Sequence, residues 1–155
     1  MVTSMKIPSI ANNFNDYFNK MGNFENSNRT AENAFENYLD EQITSTFNFR
    51  NISHSELLST IKSLSDKHSS GYDNITLSCF KKIGPSLSQP LLYFLNNSMS
   101  FGIFPDYMKV AKIIPIHKKG RTDSFTNYRP ISLLPSISKL FEKIINKQLM
   151  TCLEG

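Results

Sequence analysis

Apolar residues along the first part of the chain recur at helical spacing. Five of them lie three or four residues apart and predict an amphipathic helix over residues 9–21, which Ser9 caps and Gly22 ends. These are Ile10, Phe14, Tyr17, Phe18 and Met21. Residues 23–49 contain few strongly apolar positions, so they predict a loop that could include a short helix near residues 32–39.

The middle of the chain predicts three further helices, over residues 53–64, over residues 76–83 and from Ser88 to just before Gly102. Ser53 and Glu56 form an S-x-x-E capping box, in which each side chain satisfies one backbone amide of the first turn. A turn cluster separates the first two helices, and Gly84-Pro85 ends the second. The side chains expected to face inward are Leu57, Leu58, Ile61, Leu64, Leu77, Phe80, Ile83, Leu91, Leu92, Leu95 and Met99.

The pattern then changes to a strand pair. Residues 110–117 are rich in β-branched side chains and contain Pro115, which lacks a backbone donor, so they predict an edge or bulged strand. Residues 127–134 return as an extended segment, because Pro130 restricts Arg129 to extended geometry. The two segments predict a β-hairpin with a polar, basic tip.

A last helix follows, for which Ser136 is the predicted cap. One side carries Ile137, Leu140, Phe141, Ile144, Ile145 and Leu149, and the other carries Lys139, Lys143 and Lys147. Helical stripes outnumber strand-like runs, so the predicted fold class is α-rich α+β. The 155 residues suffice for one domain or a large piece of one.

Charge is distributed unevenly along the chain. The net charge is +4, and the segment from Lys109 to Lys147 holds nine basic residues against Asp123 and Glu142. Such a block favours a polyanionic partner, most often nucleic acid, although a solvated basic surface has the same composition. Lys118, Lys119 and Arg121 at the hairpin tip, with Arg129 beside them, could bind a triphosphate or a nucleic-acid backbone. A hairpin made soluble by its charge is the alternative.

Several chemistries lack a sequence signal. There is no GxxxxGK[ST], no GxGxxG and no histidine pair at metal-binding spacing, and the acidic residues of the second half are scattered singly. Cys79 and Cys152 are far apart, so we expect free thiols. No apolar run approaches a membrane span, and no secretory signal is recognised at the start. An intracellular protein, nuclear or cytoplasmic, is expected.

Five phrases in order resemble the opening of the reverse transcriptase domain of a non-LTR, jockey-like retrotransposon. They are SGYDNI at 70–75, NNSMSFGIFP at 96–105, MKVAKIIPIHKKG at 108–120, NYRPISLL at 127–134, and Ser138-Lys139 with Phe141-Glu142-Lys143. His117 departs from the family's more usual aromatic residue, and Tyr107 stands where the family often has tryptophan.

The resemblance implies the fingers of a right-hand polymerase, with residues 1–52 as a lead-in segment and residues 53–155 as a partial reverse transcriptase domain. By motif match, Lys118, Lys119 and Arg129 would contact the triphosphate of the incoming dNTP. The other candidates for contact with the nucleic-acid backbone are Lys112, Arg121, Lys139 and Lys143.

The family's palm aspartates are not found before Gly155, so we expect a fragment that lacks palm and thumb and is inactive alone. Mg²⁺ and a template-primer of RNA or DNA are expected only for the complete enzyme. No membrane partner is expected. The alternative is a small non-enzymatic RNA-binding or interaction module. For Arg129 itself, the alternative role is a structural salt bridge with Asp123 or Glu142.

Overall fold

The computed structural model describes residues 7–22 and 47–154. This part of the chain is helix-rich and contains one two-stranded antiparallel sheet, so the predicted α+β class is confirmed. No helix within the described ranges is long and apolar enough to cross a membrane. The short helix considered near residues 32–39 lies outside the described residues.

The elements follow the predicted order, with one additional short helix. The helices are α1 (Ile7–Gly22), α2 (His54–Lys62), α3 (Leu77–Ile83), α4 (Ser88–Ser100), α5 (Asp106–Lys109) and α6 (Ser136–Leu153). The strands are β1 (Lys112–His117) and β2 (Tyr128–Leu133), and 3₁₀ turns occupy Gly84–Leu87 and Phe125–Asn127.

The chain divides into two compact units. The first consists of residues 1–46 and 115–131, so its described part is α1 with the outer half of the hairpin. The second consists of residues 47–114 and 132–155 and holds α2 to α6. The boundary predicted at residue 52 from the family resemblance remains a prediction.

The second unit has a helical core formed chiefly by α2, α4 and α6. Leu57, Ile61, Leu95, Leu140 and Ile144 are almost completely buried in it. Phe141 of α6 stacks on Phe104, with ring centroids 5.4 Å apart. Burial of these large side chains on three helices is the main favourable term in the stability of this unit.

The predicted cap of α2 is confirmed. Ser53 Oγ accepts a hydrogen bond from the Glu56 backbone amide at 3.1 Å. The return half of the capping box is not formed, because both carboxylate oxygens of Glu56 are bonded to Arg50, at 2.7 and 2.9 Å.

Ser9 does not cap α1, because the helix begins at Ile7 and Ser9 lies within its first turn.

Three other expected roles are also wrong. Ser136 does not cap α6: Pro135 holds the extended cap position, and the Ser136 hydroxyl instead donates to Ile75 O at 2.8 Å. Ile83 is 42% exposed, because α3 ends there and Gly84 faces the core against Ile61 instead. Leu149 is 38% exposed, because the neighbouring Gln148 takes the buried position near this end of α6.

The helix that the sequence did not predict is α5, a single turn after Pro105. It buries Met108 completely, and the Ser138 hydroxyl donates to Met108 O at 2.9 Å. The apolar spacing could not reveal it, because a four-residue helix contributes one buried side chain and no period.

Candidate nucleotide-binding hairpin

The register of the hairpin follows from two contacts close to its tip. The backbone amide of Lys118 donates to Asn127 O at 2.7 Å, and the rings of His117 and Tyr128 lie 5.2 Å apart. His117 and Tyr128 are therefore opposite each other on one face of the hairpin. Because side chains alternate along a strand, Lys118 and Arg129 extend from the other face.

The face that carries Tyr128 is covered by α1. Phe14 contacts both Phe125 and Tyr128 edge to face, with ring centroids 4.8 and 4.9 Å apart, and Tyr17 stacks on Phe125 at 5.8 Å. The predicted apolar stripe of α1 therefore has a partner within its own unit. Aromatic pairs of this kind stabilise by about 1 kcal/mol each beyond the area that they bury.

The opposite face of the hairpin is open to solvent. Ile116 is 49% exposed and Ile131 is 44% exposed, and Lys118 and Arg129 beside them are also exposed. Within residues 7–22 and 47–154, the side chains of Lys118, Lys119 and Arg129 form no hydrogen bond or ion pair. Their charges are thus free of partners in the described part of the chain.

Arg121, the fourth predicted cation of the tip, is already paired. Its Nη2 lies 2.6 Å from Asp123 Oδ2 and its Nε lies 3.1 Å from Oδ1, which makes a two-pronged contact. The hydrogen bond from Arg121 lowers the pKa of the Asp123 carboxyl. The pair is fully exposed, so its contribution to stability is small. Arg121 therefore brings less uncompensated charge to a ligand than Lys118, Lys119 or Arg129.

The loop between the strands is held by side chains at the strand ends. The Asn127 side-chain amide donates to Arg121 O at 2.8 Å, and the Tyr128 hydroxyl donates to Thr122 O at 2.9 Å. His117 Nε2 lies 3.2 Å from Gly120 O. Sequence reasoning missed these residues. The sequence carries no signal for these roles, because each contact ends on a backbone carbonyl, which any residue supplies.

The other three candidate cations belong to the second unit. Lys112 is exposed and Lys139 is partly exposed, and neither forms a side-chain ion pair with a described residue. Lys143 Nζ donates to Ser63 O at 2.9 Å, so it helps to hold α6 against the end of α2. The structure thus gives Lys143 a local role that the sequence did not predict.

Four acidic residues in the described ranges, Glu56, Asp66, Asp106 and Asp123, are each paired with a separate cation. Asp106 lies 2.8 Å from Lys109, which lowers the pKa of its carboxyl, and Glu56 is bound by Arg50. No three His, Cys, Asp or Glu side chains in the described ranges lie close enough together to hold a metal ion. These residues therefore do not fit a Mg²⁺ site.

The geometry so far defines a helix-rich α+β chain with a fixed, exposed basic hairpin. No family model matches the chain. Curated relatives do match it. The chain is 32% identical over 118 residues to "RNA-directed DNA polymerase from mobile element jockey" of Drosophila melanogaster, and the match covers 76% of this chain and 13% of that protein. It is 39% identical over 95 residues to "Probable RNA-directed DNA polymerase from transposon BS" of the same species, covering 61% and 10% respectively.

A third relative agrees with these two. "Probable RNA-directed DNA polymerase from transposon X-element" of Drosophila melanogaster is 32% identical over 101 residues, which cover 64% of this chain and 11% of the relative. Over these matched stretches the chain is homologous to reverse transcriptases of non-LTR, jockey-like mobile elements, as its five sequence phrases predicted. It spans about a tenth of the length of the curated relatives that it matches.

Proposed function

We propose that this chain forms the fingers part of a reverse transcriptase and that its hairpin binds the triphosphate of the incoming dNTP. The observation that supports this most strongly is the state of Lys118, Lys119 and Arg129. All three are exposed, lie in one compact unit and have no partner among the described residues. Cations that stabilised the fold would instead be paired or bonded to backbone carbonyls.

The three side chains suit a triphosphate in complementary ways. The planar guanidinium of Arg129 can donate two parallel hydrogen bonds to phosphate oxygens, whereas each lysine supplies a compact charge. In phosphoryl transfer such groups position the substrate and neutralise charge that accumulates on the leaving pyrophosphate. The chain's share of the reaction is then binding and orientation.

A structural salt bridge is the alternative for Arg129. Asp123 is occupied by Arg121, and Arg129 forms no ion pair with an acid described in its own unit. This distribution supports a phosphate-binding role for Arg129.

The proposed partners of the complete enzyme are a template-primer of RNA or DNA and dNTP. Lys112 and Lys139, with Lys143 to a smaller extent, are the proposed contacts to the nucleic-acid backbone, since their charges add to affinity whatever the base sequence. Mg²⁺ chemistry requires carboxylates beyond those described here, so none of its steps is assigned to these residues.

The test is binding of dTTP and of inorganic tripolyphosphate to the chain, followed by amide chemical-shift changes. We expect shifts centred on residues 116–131. Arg129→Ala and Lys118→Ala should each weaken binding about tenfold, given the strength of charge-assisted hydrogen bonds. Lys82→Ala, which removes an exposed charge on α3, is the matched control.

Melting temperature serves as the second measurement. Arg129→Ala should leave it unchanged, because the side chain has no partner to lose in the described part of the chain. A large fall in melting temperature with intact nucleotide affinity would contradict the proposal. Salt-sensitive RNA binding without any response to nucleotide would instead favour the non-enzymatic RNA-binding module.

A further inference from the structure

The loop from Lys118 to Asn127 should be mobile if only its sequence is considered. It is long for a hairpin connection, and Lys118, Lys119 and Arg121 repel one another. In the structure, however, its backbone is bonded to side chains at both of its ends. A phosphate-binding loop that is ordered before its ligand arrives loses less conformational entropy on binding.

Asn127 holds the loop at Arg121. Its side-chain amide donates to Arg121 O at 2.8 Å, and the same residue's carbonyl accepts from the Lys118 amide at 2.7 Å. Gly120 makes this possible: it has a φ of +85°, and a Cβ there would lie 2.8 Å from Asn127 Nδ2. Only glycine combines that backbone conformation with the absent side chain that the contact needs.

Tyr128 holds the loop at Thr122. Its hydroxyl donates to Thr122 O at 2.9 Å, and its ring is fixed between Phe14 of α1 and His117 of β1. The ring contacts limit the directions in which the hydroxyl can lie. α1 therefore constrains the loop through this ring, in addition to its own contacts with Phe125.

We infer that Asn127 and Tyr128 are positioning residues, which hold the loop so that Lys118, Lys119 and Arg129 meet a triphosphate together. Neither side chain is charged, so neither contributes to phosphate affinity as a cation. This inference rests on the proposed function of the hairpin. It adds that affinity depends on two neutral side chains that act through the order of the loop.

The experiment compares Asn127→Ala and Tyr128→Phe with a matched control in the second unit. Tyr128→Phe keeps the ring and removes only the bond to Thr122 O. Tyr72→Phe removes the same kind of bond, because the Tyr72 hydroxyl donates to Tyr107 O at 2.9 Å. Backbone order parameters of residues 118–124 are measured by NMR relaxation in the full chain without ligand, and affinity is measured with inorganic tripolyphosphate.

Asn127→Ala and Tyr128→Phe should lower the order parameters of residues 118–124 and weaken tripolyphosphate binding about three- to tenfold, whereas Tyr72→Phe should do neither. The double variant Tyr128→Phe with Lys118→Ala should lose less binding free energy than the two single variants together, since both substitutions act on the same contact. Unchanged order parameters in the loop overturn the inference, whatever the binding data show.

The failure of each proposal has its own signature. If Arg129→Ala and Lys118→Ala weaken binding but Tyr128→Phe and Asn127→Ala do not, the positioning role is wrong and the proposed function stands. If the unmodified chain does not bind tripolyphosphate, or if Arg129→Ala has no effect, both proposals are wrong.

Discussion

Arg50 and Gln148 are joined by a reciprocal pair of hydrogen bonds. The Arg50 amide donates to Gln148 Oε1 at 3.0 Å, and Gln148 Nε2 donates to Arg50 O at 3.1 Å. Asn96 binds both backbone groups of Ile52 in the same way, at 2.7 and 3.1 Å. Two side-chain amides thus give the extended segment before α2 the backbone pairing that a neighbouring strand would supply.

Gln148→Ala should lower the stability of the second unit by about 1–3 kcal/mol. The side chain is buried, and its removal leaves the amide and carbonyl of Arg50 without these partners. Urea denaturation followed by circular dichroism measures the loss. The control is Gln89→Ala on α4, where the side chain is exposed and has no hydrogen bond to a described residue. Equal effects of the two substitutions would contradict a specific role for Gln148.

Stability should fall in acid, in part through Glu56. Two hydrogen bonds from Arg50, at 2.7 and 2.9 Å, are the main cause that lowers the pKa of the Glu56 carboxyl in the folded chain. A lowered folded-state pKa stabilises the fold above the unfolded value, near pH 4.3, and this stabilisation is lost as pH falls through the folded value. In Glu56→Gln, the free energy of unfolding should therefore fall less as the pH is lowered than it does in the unmodified chain.

The matched control for this titration is Glu142→Gln on α6. Glu142 is exposed and forms no ion pair with a described residue, so its replacement should leave the acid side of the profile close to that of the unmodified chain. Both profiles are measured by urea denaturation between pH 7 and pH 3. If the two substitutions gave the same curve, the Arg50–Glu56 pair would not be the source of the acid sensitivity.

Gly71→Ala should destabilise the second unit more than Gly102→Ala. A Cβ at Gly71 would lie 2.7 Å from Pro135 N and 2.8 Å from Leu134 C, and backbone atoms cannot move aside cheaply. Overpacking of this kind costs about 1–3 kcal/mol. Gly102 has open space around it but a φ of +64°, so alanine there costs only the conformational strain, about 1 kcal/mol. Thermal melts of both variants show which substitution destabilises the unit more.

The sequence predicted the elements better than it predicted the contacts between them. The stripes of α1, α2, α4 and α6 and the two strands have a period that hydrophobic burial imposes, so they can be recognised without a structure. The Arg50–Gln148 and Asn96–Ile52 contacts have no period, because they join residues that are distant in the chain. Only the folded arrangement of α4 and α6 brings them together.

The same distinction applies to the hairpin. Its cations were predictable from composition and family resemblance. The pairing of Arg121 with Asp123 was not, because Arg129 and Arg121 are equally plausible partners for that acid in the sequence. Nor could the sequence show that Asn127 and Tyr128 hold the loop, since both bonds end on backbone carbonyls, which any residue supplies.

The last prediction is that this chain alone does not extend a primer on any template with Mg²⁺ or Mn²⁺. The reaction needs at least two carboxylates that converge on the metal ions. Asp106 is bonded to Lys109 at 2.8 Å and Asp123 to Arg121 at 2.6 Å, and Glu142 stands on a helix between Lys139 and Lys143. Each acid is thus neighboured by cations rather than by a second acid.

Primer extension with a labelled oligonucleotide on RNA and DNA templates is the measurement, and Asp123→Ala is the diagnostic variant. Substitution of Asp123 should free Arg121 and strengthen tripolyphosphate binding by about twofold or more, because one positive charge at the tip is no longer compensated. Extension by the unmodified chain that Asp123→Ala abolished would contradict the prediction, because it would show that a carboxylate of the hairpin participates in catalysis.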